Sequence, residues 1–204
     1  QSLIDEIEQE TKLAIEVEKV YSWMAFVSSR QNPNLSVANR FFGLQPDGEY
    51  KIRGLALRRE DMPLFVADAQ WQILQILAKE KDPDKLTQLL PEVLRILKER
   101  ISALTNQRIP VHKLLVTQTL SRELDEYKVR SSVARAARQL QSVGKNIRRG
   151  QRIQFIYTKT KQSVCAWDLP EPFKIASVDN DKYKELLFRA VYEVLQPLGV
   201  TENV

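Results

Sequence analysis

The 204-residue chain has one cysteine, one histidine and six glycines, and no apolar run long enough to cross a bilayer. A membrane span needs about twenty consecutive apolar residues, so that class is excluded. Cys165 has no second cysteine to pair with, which suits a reducing compartment, and no cationic-then-apolar leader points to export. His112 stands alone and no Cys-x-x-Cys pair exists, which excludes a zinc-type site and a histidine-based triad. A Gly-rich phosphate loop is also missing. Glycine and proline are thinly spread, charged residues make up 28%, and mean hydropathy is -0.35, so neither disorder nor low-complexity repeats are expected. With 43% hydrophobic residues the chain can bury one sizeable core, or a domain plus a fragment of another.

What the chain does have is charge of one sign in one place. Lysine and arginine number 31 against 26 acidic residues, a net +5. Ten of those cations, Lys128, Arg130, Arg135, Arg138, Lys145, Arg148, Arg149, Arg152, Lys159 and Lys161, fall in a 34-residue stretch without Asp or Glu. The remainder then carries 21 basic and 26 acidic residues, net -5. A mildly acidic body with one concentrated cationic segment points to a polyanion, nucleic acid ahead of a membrane surface or an acidic protein. If about six of the ten cations reach phosphates, binding falls with salt at a log-log slope of roughly -5.

The periodicity changes along the chain. Leu3, Ile4 and Ile7 follow Ser2 at helical spacing, an acidic amphipathic helix with a serine cap. From Ile15 to Ser28 the alternation of Ile15, Val17 and Lys19 with Glu16 and Glu18, then Tyr21, Trp23 and Phe26, reads as strand. Residues 40–55 read as a hairpin around Gln45-Pro46-Asp47-Gly48, with Lys51 and Arg53 on one face of its second strand. A helix follows Pro63, with Phe65, Val66, Ala69, Ile73, Leu74, Ile76 and Leu77 as its stripe. A second runs from Leu86 to Ile101 and requires a first turn or kink at Pro91. The two resemble an antiparallel helical hairpin. A third helix spans about Ser132 to Val143, stopped by Gly144, with Arg135, Arg138 and Gln139 off its apolar stripe. Two short strands, Ile153–Tyr157 and Val164–Trp167, precede a last helix from about Lys182 to Leu195. The acidic doublets Asp82/Asp84 and Asp179/Asp181 sit just before helices, where carboxylates cap free N–H groups more often than they hold Mg2+.

These elements carry a resemblance. Phe42-Gly43, the Asp47-Gly48 turn, Lys51-Ile52-Arg53-Gly54-Leu55 and Arg58-Arg59-Glu60-Asp61 resemble the palm-to-thumb junction of family B DNA polymerases. Leu120, Leu124 and Tyr127-Lys128, followed by Val133 to Leu140, are similar to that family's thumb signature. Gly144, Ile147, Gly150, Ile153 and Tyr157, then Asp181-Lys182-Tyr183, match its continuation. The four stretches keep the family's order over about Tyr21 to Leu198.

The resemblance implies an α+β fold in which residues 1–62 are the C-terminal part of a palm, a small antiparallel β-hairpin region. Residues 63–204 would then be a mainly helical thumb with a short β-hairpin. It implies primer–template duplex DNA as partner, held through backbone phosphates by Lys128, Arg130, Ser131, Arg135, Arg138, Lys145, Arg148 and Arg149, with Arg40, Lys51, Arg53 and Arg59 lining the floor near the primer end. The family's Lys-Lys-x-Tyr element falls on Asn39, Arg40, Phe41 and Phe42, leaving Arg40 as its charge, and Ser131-Ser132 replace a Pro-His pair. The altered lysine element, with Asp61-Met62-Pro63 where many relatives have Asp-Trp, implies a member closer to the divergent prokaryotic branch. The three catalytic motifs of the family have no counterpart here, so no catalytic or metal-binding residue is expected in this chain and Mg2+ is expected in a palm active site elsewhere. A chain that opens on Gln1 is then expected to be an excised or split piece of a cytoplasmic, nucleoid-associated polymerase. The alternatives are an accessory subunit docked on a separate catalytic chain, and a non-catalytic nucleic-acid scaffold.

Overall fold

The computed structural model describes residues 3–29, 32, 35–128, 131–170 and 177–201. Ser2 and Arg130 lie outside the described residues. The architecture is α+β, with five α-helices and two three-stranded antiparallel sheets among the described residues.

The first sheet orders β1 (Trp23–Ser28), β2 (Ser36–Leu44) and β3 (Tyr50–Arg53) in sequence. Phe42 pairs with both Ala25 and Ile52, so alternation sends Trp23, Val27, Phe42, Leu44 and Ile52 to one buried face. The turn between β2 and β3 closes with Gly48 N–H to Gln45 C=O at 3.0 Å and Gln45 N–H to Glu49 C=O at 2.8 Å. Gly48 at φ 90° supplies the left-handed residue that a three-residue hairpin loop requires. The strand expected from Ile15 begins only at Trp23; no residue from Leu13 to Val20 is paired in a sheet.

Helices α2 (Leu64–Leu77), α3 (Leu90–Thr105) and α5 (Asn180–Leu195) complete the first core with that sheet. Pro91 sits in the first turn of α3, the position where a missing N–H costs nothing, and a 3₁₀ segment Pro83–Leu89 leads into it. The principal partner of α2 is α5, from the far end of the chain, and not α3 as a simple hairpin would have it. The first sheet, with Leu55 and Ala56 after it, therefore shares one hydrophobic core with α2, α3 and α5.

The second sheet orders β4 (Val116–Thr119), β5 (Arg152–Tyr157) and β6 (Val164–Ala166), covered by α4 (Ser132–Ser142). Only β5 and β6 were expected as strands. β4 is four residues long and finds its partner across the sequence, Val116 opposite Phe155, so no local turn announces it. Its core is separate: Leu120, Val133, Ala136, Ala137, Leu140, Ile153 and Phe155 belong to this cluster alone.

Tyr183 joins the two. Its ring is fully buried, and its hydroxyl accepts from Tyr157 N–H at 3.1 Å and donates to Leu114 C=O at 2.7 Å. Burial pushes the phenol well above its ordinary pKa, so it stays a donor. Tyr183→Phe strands both main-chain groups in an apolar setting. It should cost about 2 kcal/mol and lower the melting temperature by roughly 5 °C, read by calorimetry.

Candidate nucleic-acid interface

The cationic segment is built around α4. Ser131 Oγ accepts from Ala134 N–H at 3.4 Å and caps the helix, and Gly144 at φ 86° follows its end. Val133, Ala134, Ala136, Ala137 and Leu140 face the sheet, and Gln139 fastens the helix to β6. Its amide donates to Val164 C=O at 2.8 Å and to Gln162, and accepts from Ala166 N–H at 2.8 Å. That role was not visible in the periodicity, which placed Gln139 off the stripe.

The segment lacks acids in sequence, but the fold supplies them. Lys145 meets Asp168 at 3.6 Å, Arg152 meets Glu60 at 3.5 Å and Lys159 meets Asp181 at 2.9 Å. Arg138 donates to Leu124 C=O at 3.0 Å, tying α4 to the preceding 3₁₀ turn. Arg135 is half-buried; its Nε has no hydrogen-bond partner among the described residues, while Nη2 reaches Ser132 Oγ at 3.5 Å. Lys128, Arg148, Arg149 and Lys161 are exposed and no ion pair engages them among the described residues. The loop carrying Arg148 and Arg149 is held by its backbone: Arg149 N–H donates to Glu123 Oε1 at 3.2 Å and Gly150 N–H to Leu120 C=O at 2.7 Å. Two arginine side chains are thus presented on an anchored loop.

The residues from the first sheet divide differently. Arg53 is exposed on β3, and Lys51 beside it meets Glu18 at 3.3 Å. Arg59 forms a bidentate pair with Asp61 at 2.9 and 2.7 Å. Arg40 points inward: Nη2 meets Glu193 Oε1 at 2.7 Å and Nε donates to Gly54 C=O at 3.3 Å. Gly54 has φ 66°, and a Cβ there would lie 2.6 Å from Asn39 O and 2.7 Å from Arg40 Cγ, so only glycine fits beneath this arginine. The second oxygen of Glu193 accepts from Ala56 N–H at 2.9 Å and from Gln70 Nε2 at 3.4 Å. Gln70, fully buried on α2, also donates to Ala190 C=O at 2.6 Å and accepts from Leu57 N–H at 2.8 Å. Neither Gln70 nor Glu193 was singled out by sequence, although both interrupt apolar stripes.

Both acidic doublets serve helix starts. Asp82 Oδ1 accepts from Asp84 N–H at 3.1 Å and Asp179 Oδ1 from Lys182 N–H at 3.1 Å. Asp181 binds Lys159 and Lys184, and no group of three metal-ligating side chains converges among the described residues. Burial pushes the Cys165 thiol up, away from reactivity. No described helix is long and apolar enough to cross a membrane.

The described residues thus form an α+β arrangement of two small sheets, with exposed cations on the lobe built by α4 and the second sheet. The chain belongs to DNA polymerase family B, whose family model matches residues 1–198. It is 27% identical over 202 residues to DNA polymerase 1 of Sulfolobus acidocaldarius, covering 98% of this chain and 22% of that protein. With DNA polymerase 1 of Saccharolobus solfataricus the identity is 24% at the same coverage. The fold matches the family B DNA polymerase structure from Pyrobaculum calidifontis with a TM-score of 0.69 at 22% identity, covering 98% of this chain and 25% of that one. The chain thus spans about a fifth to a quarter of the length of these relatives.

Two outcomes test the geometry. Glu193→Ala leaves Arg40, Ala56 N–H and Gln70 without their shared acceptor and should cost roughly 3 kcal/mol in denaturant unfolding; Glu193→Gln, which keeps an acceptor for Ala56, should cost less. The Lys159 ammonium beside Asp181 holds that carboxyl below the usual aspartate range. Its contribution is therefore present at neutral pH and is lost as pH falls through the lowered folded value. An NMR titration should show Asp181 ionising early, and Lys159→Met should shift its midpoint upward.

Proposed function

We propose that this chain is the duplex-gripping part of a DNA-directed DNA polymerase, a nucleotidyltransferase, with residues 1–62 serving as the end of the palm and residues 63–204 as the thumb. The observation that carries the reading is the set of exposed cations, Lys128, Arg148, Arg149 and Lys161, that meet no acidic partner among the described residues, on the lobe built by α4 and the second sheet. Arg148 and Arg149 precede β5 and Lys161 follows it. Six extended residues span about 20 Å, close to six phosphate steps along one strand of a duplex. Ser131, Ser132 and Arg135 at the N-terminus of α4 add N–H groups and a positive helix end to the same lobe. Contacts of this type position a duplex and carry no sequence information.

Lys145, Arg152 and Lys159 already have acidic neighbours, and Arg40 is held by Glu193, so these contribute structure before they contribute affinity. Among the described residues Arg53 is exposed on β3 with no ion pair, while Lys51 and Arg59 would have to exchange the carboxylates of Glu18 and Asp61 for a phosphate. The carboxylates that would hold Mg2+ for nucleotidyl transfer belong, on this reading, to the remainder of the polymerase. Of the acidic doublets, Asp82 and Asp179 cap helix starts and Asp181 pairs with Lys159. The work is that of a nucleoid-associated, cytoplasmic enzyme.

Fluorescence anisotropy on a primer–template duplex tests the proposal. Binding should favour duplex over single strand, with a log-log salt slope near -4 for about four phosphate contacts. Arg148→Ala combined with Arg149→Ala should weaken binding and reduce the slope by about 2. Equal affinity for single strands, or no salt dependence, would overturn the reading in favour of a scaffold of another kind.

A further inference from the structure

A groove of about 520 Å³ opens between the β2–β3 turn and α2 on the first lobe, and none of the cations assigned to the duplex lines it. Its walls are Tyr50 and Trp71, whose rings meet edge to face at 6.3 Å, with Gly48 and Ala78 beside them and Glu49 and Gln75 at exposed positions. Tyr50 is fixed from behind: its hydroxyl donates to Leu74 C=O at 2.8 Å and its ring meets the buried Trp23 at 5.8 Å. Trp71 is nonetheless 41% exposed. Among the described residues the indole N–H of Trp71, the amide of Gln75 and the carboxylate of Glu49 have no hydrogen-bond or ionic partner. A concave site with aromatic walls and three convergent polar groups still free to bond is built like a recognition site.

We propose that this groove docks an arginine side chain carried by an extended segment of a second protein. Charge selects the occupant. Glu49 lines the groove and Asp47 stands two residues before it, while no lysine or arginine is among the lining residues. The cations of the flanking segments are engaged: Lys81 on Pro46 C=O at 3.4 Å, Lys79 on Glu92 at 2.6 Å and Lys51 on Glu18 at 3.3 Å. A nucleic-acid strand stacked on exposed aromatics needs a basic track for its phosphates, and here it would meet a carboxylate. A guanidinium meets every feature of the site. The face of Trp71 attracts it, its planar fork donates to the Glu49 carboxylate and the Gln75 carbonyl together, and its methylene stem covers apolar ring surface. A small ammonium ion would leave the rings wet. Permanent interfaces bury apolar cores, whereas a half-exposed tryptophan and tyrosine ringed by groups that water can serve have the composition of a reversible contact.

The test follows the indole N–H signal of Trp71 by NMR, assigned among the three tryptophans of the 204-residue chain with Trp71→Phe. The probe is a blocked tripeptide with arginine between two alanines, and its control carries citrulline, the neutral isostere, in place of arginine. The arginine peptide should shift the signal saturably at roughly millimolar concentration, and the citrulline peptide should not. Glu49→Gln removes the charge from an exposed position, so it should weaken the peptide about fivefold while leaving the melting temperature and duplex affinity unchanged. The same titration in the complete polymerase should give the same shift. No saturable shift, an equal shift with citrulline, or full affinity in Glu49→Gln would overturn the proposal. Displacement of the peptide by duplex DNA would overturn it in favour of a nucleic-acid groove. Binding to the 204-residue chain that disappears in the complete polymerase would overturn it in favour of an occupant within the enzyme, and a Trp71 shift that grows with protein concentration alone would do so in favour of a second copy.

Discussion

The buried carboxylate of Glu193 is the constraint around which the first lobe is arranged. It joins four pieces of chain that sequence keeps far apart: Arg40 from β2, Ala56 from the turn after β3, Gln70 from α2 and its own helix α5. Taking a carboxylate out of water costs several kcal/mol unless its lone pairs are met, and here three donors meet them. The geometry is correspondingly unforgiving, since Arg40 can reach Glu193 only by passing over a residue without a side chain, Gly54. An arginine that the family resemblance would aim at DNA is therefore also the clasp that fixes the sheet against the helices.

Electrostatics across the second lobe shows why charge counted along a sequence overstates charge in space. The ten-cation segment contains no acid, but folding brings Glu60, Asp168 and Asp181 to three of its members and Glu123 to the backbone of a fourth. What remains is a smaller set of free side chains on well-held loops. An exposed pair contributes little to stability. Its larger effect is to decide which cations are left for a ligand.

Much of this was legible from periodicity. The stripes of α2, α4 and α5, the Pro46-Asp47-Gly48 turn, the first-turn position of Pro91 and the capping role of both aspartate doublets follow from local rules that tertiary packing did not need to overrule. The misses share one cause, which is dependence on distant partners. β4 is too short to announce itself without β5, and the alternation from Ile15 onward becomes strand only at Trp23, where β2 supplies the pairing. Gln70 and Glu193 were present as polar residues at stripe positions, four after Val66 and three after Ala190. A polar side chain there should be questioned as a network member before it is passed over.

The separateness of the two cores has a consequence for synthesis. The second lobe, residues 116–166, is inserted between two stretches that build the first core, and α2 waits for α5 to cover it. At the roughly 5–20 residues per second of translation, about ten seconds pass between the emergence of Leu77 and that of Tyr183. During that interval the inserted lobe can complete most of its own core, while the part of α2 that packs against α5 stays uncovered. The later-encoded lobe thus becomes the first finished one, and α2 has only α3 and the first sheet for cover until α5 arrives.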